Sequence, residues 1–257
     1  MNVPSPMFQV PQKMLLEIAV SNLQAAMAAQ HAGADRIELC DNLREGGTTP
    51  SYGYLLQAIK KLSIPVYPII RPRGGDFLYT DDEFNMMKDD ILLCRQLGFA
   101  GVVTGLLNAD GTIDKKRTAR LVETAYPMEV TFHRAFDRTN DAFTALEDVI
   151  DTGCERILTS GRVPDAPSGA GLIKQLVEAA DERIIIMPGS GVRAASLEAL
   201  IQQTGATEYH SSAKTAIGST MQYRNDHFPG SDGTYDGVDE AEIAAMKTII
   251  QKTNGTS

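Results

Sequence analysis

Eight short segments of the chain are rich in apolar residues, and each is followed by a stretch with helical spacing. Several are apolar at consecutive positions, as in Ile184-Ile185-Ile186. Consecutive apolar positions are typical of strands that are covered on both faces in a parallel sheet. The alternation of strand and helix therefore predicts repeated βα units. The predicted strands are residues 15–20, 36–41, 66–71, 101–106, 129–135, 156–160, 183–188 and 208–212.

Glycines and capping residues mark where the predicted helices begin and end. Glycine takes the left-handed conformation at a helix C-terminus without a steric penalty, so the chain can turn tightly into the next strand. Thr80 and Glu83 have the spacing of a capping box, and Thr49 precedes Pro50 as a capping hydroxyl precedes a first-turn proline. Predicted strands two, four, six and eight each follow such a glycine by three residues: Gly33, Gly98, Gly153 and Gly205.

The repetition also predicts the overall architecture. Four βαβα units with no break in composition predict a single domain over all 257 residues. The predicted fold is one α/β (β/α)8 TIM barrel with parallel strands, for which about 250 residues are typical. The alternative is an open doubly wound sheet, which usually needs a glycine-rich first turn that Val20-Ser21-Asn22 lacks. Residues 1–13 are predicted to be an N-terminal leader, and residues 226–257 a C-terminal loop and helix.

Composition and charge narrow the class of protein. Apolar residues make up 43% and charged residues 22%, and 24 basic against 33 acidic residues give a net charge of −9. An acidic protein repels phosphate backbones and anionic lipid, so neither nucleic acid nor a membrane is an expected partner. The sequence has no uncharged apolar run long enough for a membrane span, and its three cysteines form no C-x-x-C pair. We therefore expect reduced thiols and a cytoplasmic protein.

Two glutamates mark the predicted carboxyl ends of the strands, where TIM barrels bind their ligands. Glu17 and Glu38 have matching contexts on strands expected to be neighbours, about 5 Å apart. Two carboxylates at this separation raise one pKa, unless Arg71 or a cation neutralises both. The structural alternative is an ion pair between Glu38 and Arg71 that closes the barrel mouth.

His133 is the predicted proton shuttle of the same site. It follows Thr131 at strand spacing, so both side chains are expected to point into the barrel. A neutral imidazole there can be a general base or a metal ligand, and the alternative is a core histidine bonded to a carbonyl. The predicted catalytic residues are Glu17, Glu38, Arg71 and His133.

The loops after strands seven and eight occupy positions where many barrels bind phosphate through backbone N–H groups. The simpler interpretation of Gly189 and Gly191 is a tight loop that needs positive φ. The sequence leaves open whether Tyr209 or His210 points inward. Together with nearby basic residues, these loops predict a site for a small anion. The predicted substrate-binding residues are Arg73, Arg134, Thr159, Ser160, Gly189, Ser190, Gly191, His210, Ser211, Ser212 and Lys214.

Cys40 is the predicted metal ligand, because it ends strand two. Cys94 and Cys154 lie at helix and turn positions that are typical of packing residues. Copper(I) needs two or three soft ligands within bonding distance. Met187 on strand seven is a distant candidate for a second sulfur ligand, and the other methionines are expected to fill gaps in the core.

Five sequence blocks resemble the hallmark blocks of the CutC family. They occur in order and at the family's spacing, in the region from Leu15 to Asn225. The blocks are RIELC at 36–40, EGGTTPS at 45–51, IRPRGGDF at 70–77, VTFHRAFD at 130–137 and LTSG at 158–161. The resemblance implies a barrel fold, a cytoplasmic location and a role in copper homeostasis through copper binding or trafficking.

The resemblance also implies a copper(I) site, from which this chain departs. In members proposed to bind copper(I), one cysteine lies two residues after the strand-one glutamate and another lies in the strand-two block. Cys40 matches the second position, but Ala19 stands at the first. The alternative function is a TIM-barrel enzyme that acts on a small anionic or sugar-like substrate at the C-terminal mouth. The expected partners are a small anionic ligand or copper, and a homo-oligomer is a further candidate.

Overall fold

A ring of parallel strands forms the centre of the fold. The computed structural model describes residues 14–223, 225, 227 and 233–255. The barrel strands are β1 (Leu15–Val20), β2 (Arg36–Leu39), β3 (Val66–Pro68), β4 (Gly101–Thr104), β5 (Glu129–Phe132), β6 (Arg156–Thr159), β7 (Ile185–Pro188) and β8 (Glu208–Ser211).

The strand order closes the ring. Hydrogen-bonded neighbours run β3-β2-β1-β8 in one half and β4-β5-β6-β7 in the other. A parallel bridge between Ile69 and Val103 joins the halves at β3 and β4, and β7 lies beside β8. The predicted (β/α)8 barrel is therefore confirmed, and the open sheet is excluded because its first and last strands would not pair as β1 and β8 do.

Helices cover the outside of the ring. In α5 the buried residues Ala142, Ala145, Leu146 and Val149 recur at helical spacing, so one face of the helix packs on the barrel. No helix among the described residues is long and apolar enough to cross a membrane. The helices are α1 (Leu23–His31), α2 (Tyr52–Lys61), α3 (Asp81–Leu97), α4 (Lys115–Ala125), α5 (Ala142–Thr152), α6 (Ala170–Ala180), α7 (Ala194–Thr204) and α8 (Glu240–Asn254).

Most helix-end signals are confirmed, and one is wrong. Thr80 and Glu83 form the predicted capping box of α3, and the four glycines before the even strands all have positive φ. The helix after residue 50 begins later than predicted, with Ser51 as its N-cap accepting from the Tyr54 N–H. The Thr49 hydroxyl instead accepts from the Arg71 backbone N–H at 2.9 Å. A partner distant in sequence therefore replaces the local cap.

Several strands are shorter than the sequence predicts. β2 ends at Leu39 and β5 at Phe132, since the following residues turn into loops and short 3-10 helices, including Arg134–Arg138. β7 begins at Ile185, because the Arg183 backbone N–H is used in a turn and donates to the Ala180 carbonyl at 2.9 Å.

A hairpin and a final helix follow β8. The hairpin consists of β9 (Lys214–Gly218) and β10 (Thr234–Val238), and the Asn22 side-chain amide donates to the Asp236 carbonyl at 2.6 Å. The hairpin therefore lies against the end of β1. The predicted C-terminal helix is present as α8, whereas the predicted leader, residues 1–13, lies outside the described residues. The division into leader, barrel and tail stays a prediction.

The two faces of β1 show what fills the barrel. Leu16, Ile18 and Val20 point outward into the buried apolar layer under the helices. Glu17 and Ala19 alternate with them and point inward. The inside of this barrel is therefore charged near its centre, where most barrels pack branched apolar side chains.

Candidate functional site

A buried network of oppositely charged side chains fills the end of the barrel at which the strands begin. Arg36 donates from Nε to Glu17 and from Nη2 to Glu208 Oε2 at 2.5 Å. Arg156 donates to Glu208 Oε2 at 3.0 Å and to Glu129 Oε2 at 2.7 Å. Four of these residues open β2, β5, β6 and β8, so their side chains meet at the same level of the ring. Each buried charge in the network has a partner, as burial requires.

His210 extends this network toward the mouth. Its Nδ1 lies 2.7 Å from Glu17 Oε1, and its Nε2 lies 3.7 Å from Glu38 Oε2. Burial alone would lower the pKa of His210, but the hydrogen bond to Glu17 and the charge of Glu38 outweigh it and raise the pKa. Burial, with the charge of Glu17 nearby, raises the pKa of Glu38. His210 therefore points inward, which settles the direction that the sequence left open.

Glu17 stays ionised in this setting. Burial would raise its pKa, but the charge of Arg36 and the hydrogen bond with His210 outweigh burial and hold the pKa well below its usual range. Glu17 and Glu38 are linked through His210 in the barrel interior, whereas their predicted catalytic role at the mouth stays a prediction. The neutralising cation is Arg36 rather than the predicted Arg71.

Arg71 has a different role, and the predicted pairing with the glutamates is wrong. Its guanidinium donates to the backbone carbonyls of Glu45 and Gly47, each at 2.7 Å, and of Gly75 at 3.0 Å. Within the described part of the chain it makes no ion pair with Glu38. Arg71 therefore holds the loops after β2 and β3 together at the mouth.

The mouth contains a cavity of about 780 Å³. It lies beyond the carboxyl ends of β3, β4 and β5 and is lined by charges of both signs. Arg71, Arg134 and Arg138 provide three guanidinium groups, and Asp76 and Asp137 are among the acids. The cavity is therefore on one side of the mouth, away from the loops that follow β7 and β8.

Arg134, Thr159 and Ser160 are brought together as predicted, but around a residue that the sequence reasoning did not single out. Asp137 accepts from Arg134 Nε at 2.8 Å, from the Thr159 hydroxyl at 2.5 Å and from the Ser160 hydroxyl at 3.0 Å. The hydroxyls thus satisfy Asp137 and do not face the cavity as free donors. Asp137 lies four residues after His133 in the same sequence block, and this spacing was the signal that could have identified it.

His133 is buried as a neutral donor beside the cavity. It caps the 3-10 helix Arg134–Arg138 through Nδ1, which accepts the Ala135 backbone N–H at 3.2 Å. The proton of the neutral ring must then be on Nε2. Burial and the charge of Arg71 lower the pKa of His133 to about 3. Among the described residues, neither His133 Nε2 nor Arg71 Nε has a hydrogen-bond partner.

Hydrogen bonds within the protein occupy several donors of the loops after strands seven and eight, where the sequence predicts a phosphate site. The Ser190 hydroxyl donates to the Pro164 carbonyl at 2.9 Å and the Ser211 hydroxyl to the Val192 carbonyl at 2.7 Å. The Ala194 N–H at the start of α7 donates to a carboxylate of α8 at 2.8 Å. These three donors are occupied inside the protein, and phosphate binding through the other backbone N–H groups of the two loops stays a prediction.

The remaining predicted binding residues lie away from the cavity. Arg73 forms ion pairs with Glu83 at 2.5 Å and with Asp76 at 3.0 Å on the rim. Lys214 pairs with Asp236 of the hairpin at 2.9 Å, and Ser212 lies in a cleft beside it.

The two glycines of the predicted phosphate loop serve packing. An added Cβ at Gly189 would lie 2.4 Å from Leu158, and one at Gly191 would lie 2.7 Å from Asp165. The space beside each glycine is therefore filled by protein. The tight-loop interpretation fits Gly191, which has the positive φ that it requires, whereas Gly189 does not have positive φ and is a glycine because of its close packing.

Cys40 lies in an apolar cluster inside the barrel with Tyr67, Ile69 and Val103. Burial and the nearby charge of Glu38 raise the pKa of its thiol well above the usual value. Met187, the candidate second sulfur, accepts a hydrogen bond from the Arg36 guanidinium at 3.3 Å, at the opposite end of the interior. Within the described ranges, no three His, Cys, Asp or Glu side chains are grouped to hold a metal ion.

The fold and the site define a TIM-barrel protein with a ligand-sized cavity at its C-terminal mouth. The sequence model of the CutC family matches residues 14–215, and the chain belongs to this family. A CutC family protein from Chromobacterium violaceum is 50% identical over 246 residues, 93% of this chain and 98% of the relative. Another from Parabacteroides distasonis is 50% identical over 218 residues, 84% and 90% of the two chains.

A solved structure supports the same assignment. The CutC protein from Streptococcus agalactiae, which is named for copper homeostasis, has 36% sequence identity and a TM-score of 0.74. The match covers 77% of this chain and 98% of that one. The predicted family and barrel fold are thus confirmed.

Proposed function

We propose that this CutC family chain is a cytoplasmic enzyme that binds a small anionic or sugar-like substrate at the mouth of its barrel. The cavity of about 780 Å³ carries the proposal, because sites for small molecules typically have volumes of about 300–1,000 Å³. Three arginines line it in a protein whose net charge is −9. Guanidinium groups in a wall of mixed charge supply the donors that a small anionic group needs, while the net charge of the protein disfavours nucleic acid and membranes.

The three arginines differ in how free they are to bind a ligand. Arg71 is tied to backbone carbonyls and Arg134 to Asp137. Arg138 lines the cavity, is exposed, and has no ion pair among the described residues. Arg138 is therefore the group we assign to the anionic part of the substrate. Asn108 and the cavity carboxylates supply acceptors for hydroxyl groups.

The copper role carried by the Streptococcus relative's name is the weaker candidate for this chain. Copper(I) requires at least two converging soft ligands. The nearest pair suggested by the sequence is Cys40 and Met187, and Met187 bonds to Arg36 at the far end of the interior. Ala19 stands where a second cysteine would be needed. These residues do not fit a copper(I) site, so no step of the proposed function uses copper.

The cytoplasmic part of the proposal rests on the thiols. All three cysteines are free and buried. Free thiols persist in a reducing compartment, whereas secreted proteins usually pair them.

A thermal-shift screen tests the proposed function. Phosphorylated sugars, sugar acids and 2-oxo acids are added to the native protein, to Arg138→Ala and to the control Arg120→Ala, an exposed arginine on α4. A ligand at a hundredfold excess over its Kd stabilises the native state by about 2.7 kcal/mol, a shift of several degrees. We expect that shift in the native protein and control and its loss in Arg138→Ala. If no compound shifts the native protein, or all three respond equally, the proposal is wrong.

A further inference from the structure

Two buried N–H groups beside the cavity lack an acceptor. They are Arg71 Nε and His133 Nε2, the only nitrogens among the buried side-chain atoms without a partner in the described residues. Their side chains are 3% and 4% exposed. Leaving such a donor unpaired costs about 1–3 kcal/mol. An unpaired buried donor is retained where a bound ligand will accept its hydrogen bond. These two groups therefore indicate a binding position for an oxygen atom.

A glycine brings the two donors toward each other. β3 and β5 flank β4, and Arg71 and His133 follow the two outer strands. Gly105, just after β4, has no side chain to separate them. A Cβ at Gly105 would lie 2.6 Å from His133 Nδ1 and 2.8 Å from Cε1. The imidazole therefore occupies the space beside Gly105, a position that only glycine at 105 permits, and there it feels the charge of Arg71.

One aromatic ring lies against both side chains. The Phe77 ring centroid lies 4.9 Å from that of His133, and the Arg71 Cζ lies 5.0 Å from the same ring. Phe77 also lines the cavity. It is carried by the loop after β3, in which Gly75 has a φ of 83°. A ligand in the cavity therefore reaches the donors by displacing Phe77.

The protonation states suit an oxygen that becomes negative. The Ala135 N–H occupies His133 Nδ1, which leaves the Nε2 proton free to be donated. The pKa of about 3 keeps the ring neutral at physiological pH, and Arg71 adds a permanent positive charge. A fixed pair of such donors in a water-poor site stabilises developing negative charge on a carbonyl oxygen.

We propose that the Arg71 Nε–H and the His133 Nε2–H together bind one carbonyl oxygen of the substrate and stabilise it as it gains negative charge. The substrate class is a small carbonyl acid, such as a 2-oxo acid or a ketose phosphate, whose anionic group lies toward Arg138. This inference rests on the proposed function and specifies its ligand. Gly105 is a positioning residue, because it acts only through the orientation of His133.

Two probes separate this inference from simple anion binding. Oxalate is planar and resembles the enolate of pyruvate. Lactate has a carboxylate, but its second carbon carries a hydroxyl group on a tetrahedral centre instead of an oxygen in the carboxylate plane. Calorimetric titration should show oxalate binding the native protein about tenfold more tightly than lactate. His133→Ala and Gly105→Ala should remove that preference, by weakening the binding of oxalate to about the level of lactate. His133→Gln, which keeps an N–H donor, should restore part of it.

The exposed histidine His31 provides the control. His31→Ala should keep the full oxalate preference. A nitrogen-15 spectrum should show the His133 proton on Nε2 in the native protein, and Gly105→Ala should change the ring signals together with the oxalate preference. If oxalate and lactate bind the native protein equally, or if the preference survives His133→Ala, this inference is wrong while anion binding stands. If neither probe nor any phosphorylated sugar binds, both proposals fail.

Discussion

The buried neutral imidazole of His133 should make the protein lose stability in mild acid. Its pKa falls from the ordinary 6.5 to about 3 on folding, through burial and the charge of Arg71. Below pH 6.5 the unfolded chain binds a proton at this residue and the folded chain does not. Stability is therefore lost as the pH falls from 6.5 toward 3. Between pH 7 and pH 5 the loss from this residue alone is about 2 kcal/mol.

The variant His133→Gln removes this titration while keeping a buried group of similar size. Urea unfolding at pH 7 and pH 5 gives the free energy of unfolding of both proteins. We expect the native protein to lose about 2 kcal/mol more than the variant over this interval. The control His31→Gln, at an exposed position on α1, should follow the native protein. A difference between native protein and His133→Gln that stays constant between the two pH values would refute a buried neutral ring.

Three further predictions concern the barrel interior. Glu17→Gln breaks a buried ion pair and should cost about 3 kcal/mol in urea unfolding; because the folded pKa of Glu17 is lowered, this deficit should shrink as the pH falls below 4.5. Gly101→Ala should lower the Tm, since its Cβ would lie 2.4 Å from the Tyr67 ring, whereas Gly171→Ala on α6 has open space and should not. Copper(I) should bind only weakly and Cys40→Ser should abolish it, and tight binding that survives the change would contradict this account.

Much of the fold could be predicted because its signals are local. Gly98 and Gly153 end α3 and α5 with φ values of 84° and 82°, and a few neighbouring residues determine such an end. The prediction that Thr49 caps a helix is wrong, because its hydroxyl accepts a hydrogen bond from the backbone N–H of Arg71, which is distant in sequence. Local patterns therefore identified the strands and helices, and the error at Thr49 arises from a contact between residues distant in the sequence.

The candidate site was predicted less completely. The sequence placed Glu17, Glu38 and His133 inside the mouth; all three are buried, but Glu17 joins the network with Arg36 deeper in the barrel. It missed Arg36, because that residue opens β2 at the end of the barrel opposite the expected ligand. Inward alternation through Arg36, Glu38 and Cys40 was the signal that could have found it. The cavity itself could not be predicted, since it depends on how the loops after β2, β3 and β4 fold over one another.

The sequence by itself determined the repeated βα pattern, the closed barrel and the family, because periodicity, glycine caps and motif blocks are properties of neighbouring residues. Only the tertiary structure decided which charges meet. Arg36 begins β2, the strand of Glu38, and Arg71 follows β3, the neighbouring strand. Arg36 reaches Glu17, whereas Arg71 binds backbone carbonyls. The pairing of buried charges depends on distances across the ring, which the order of residues along the chain does not specify.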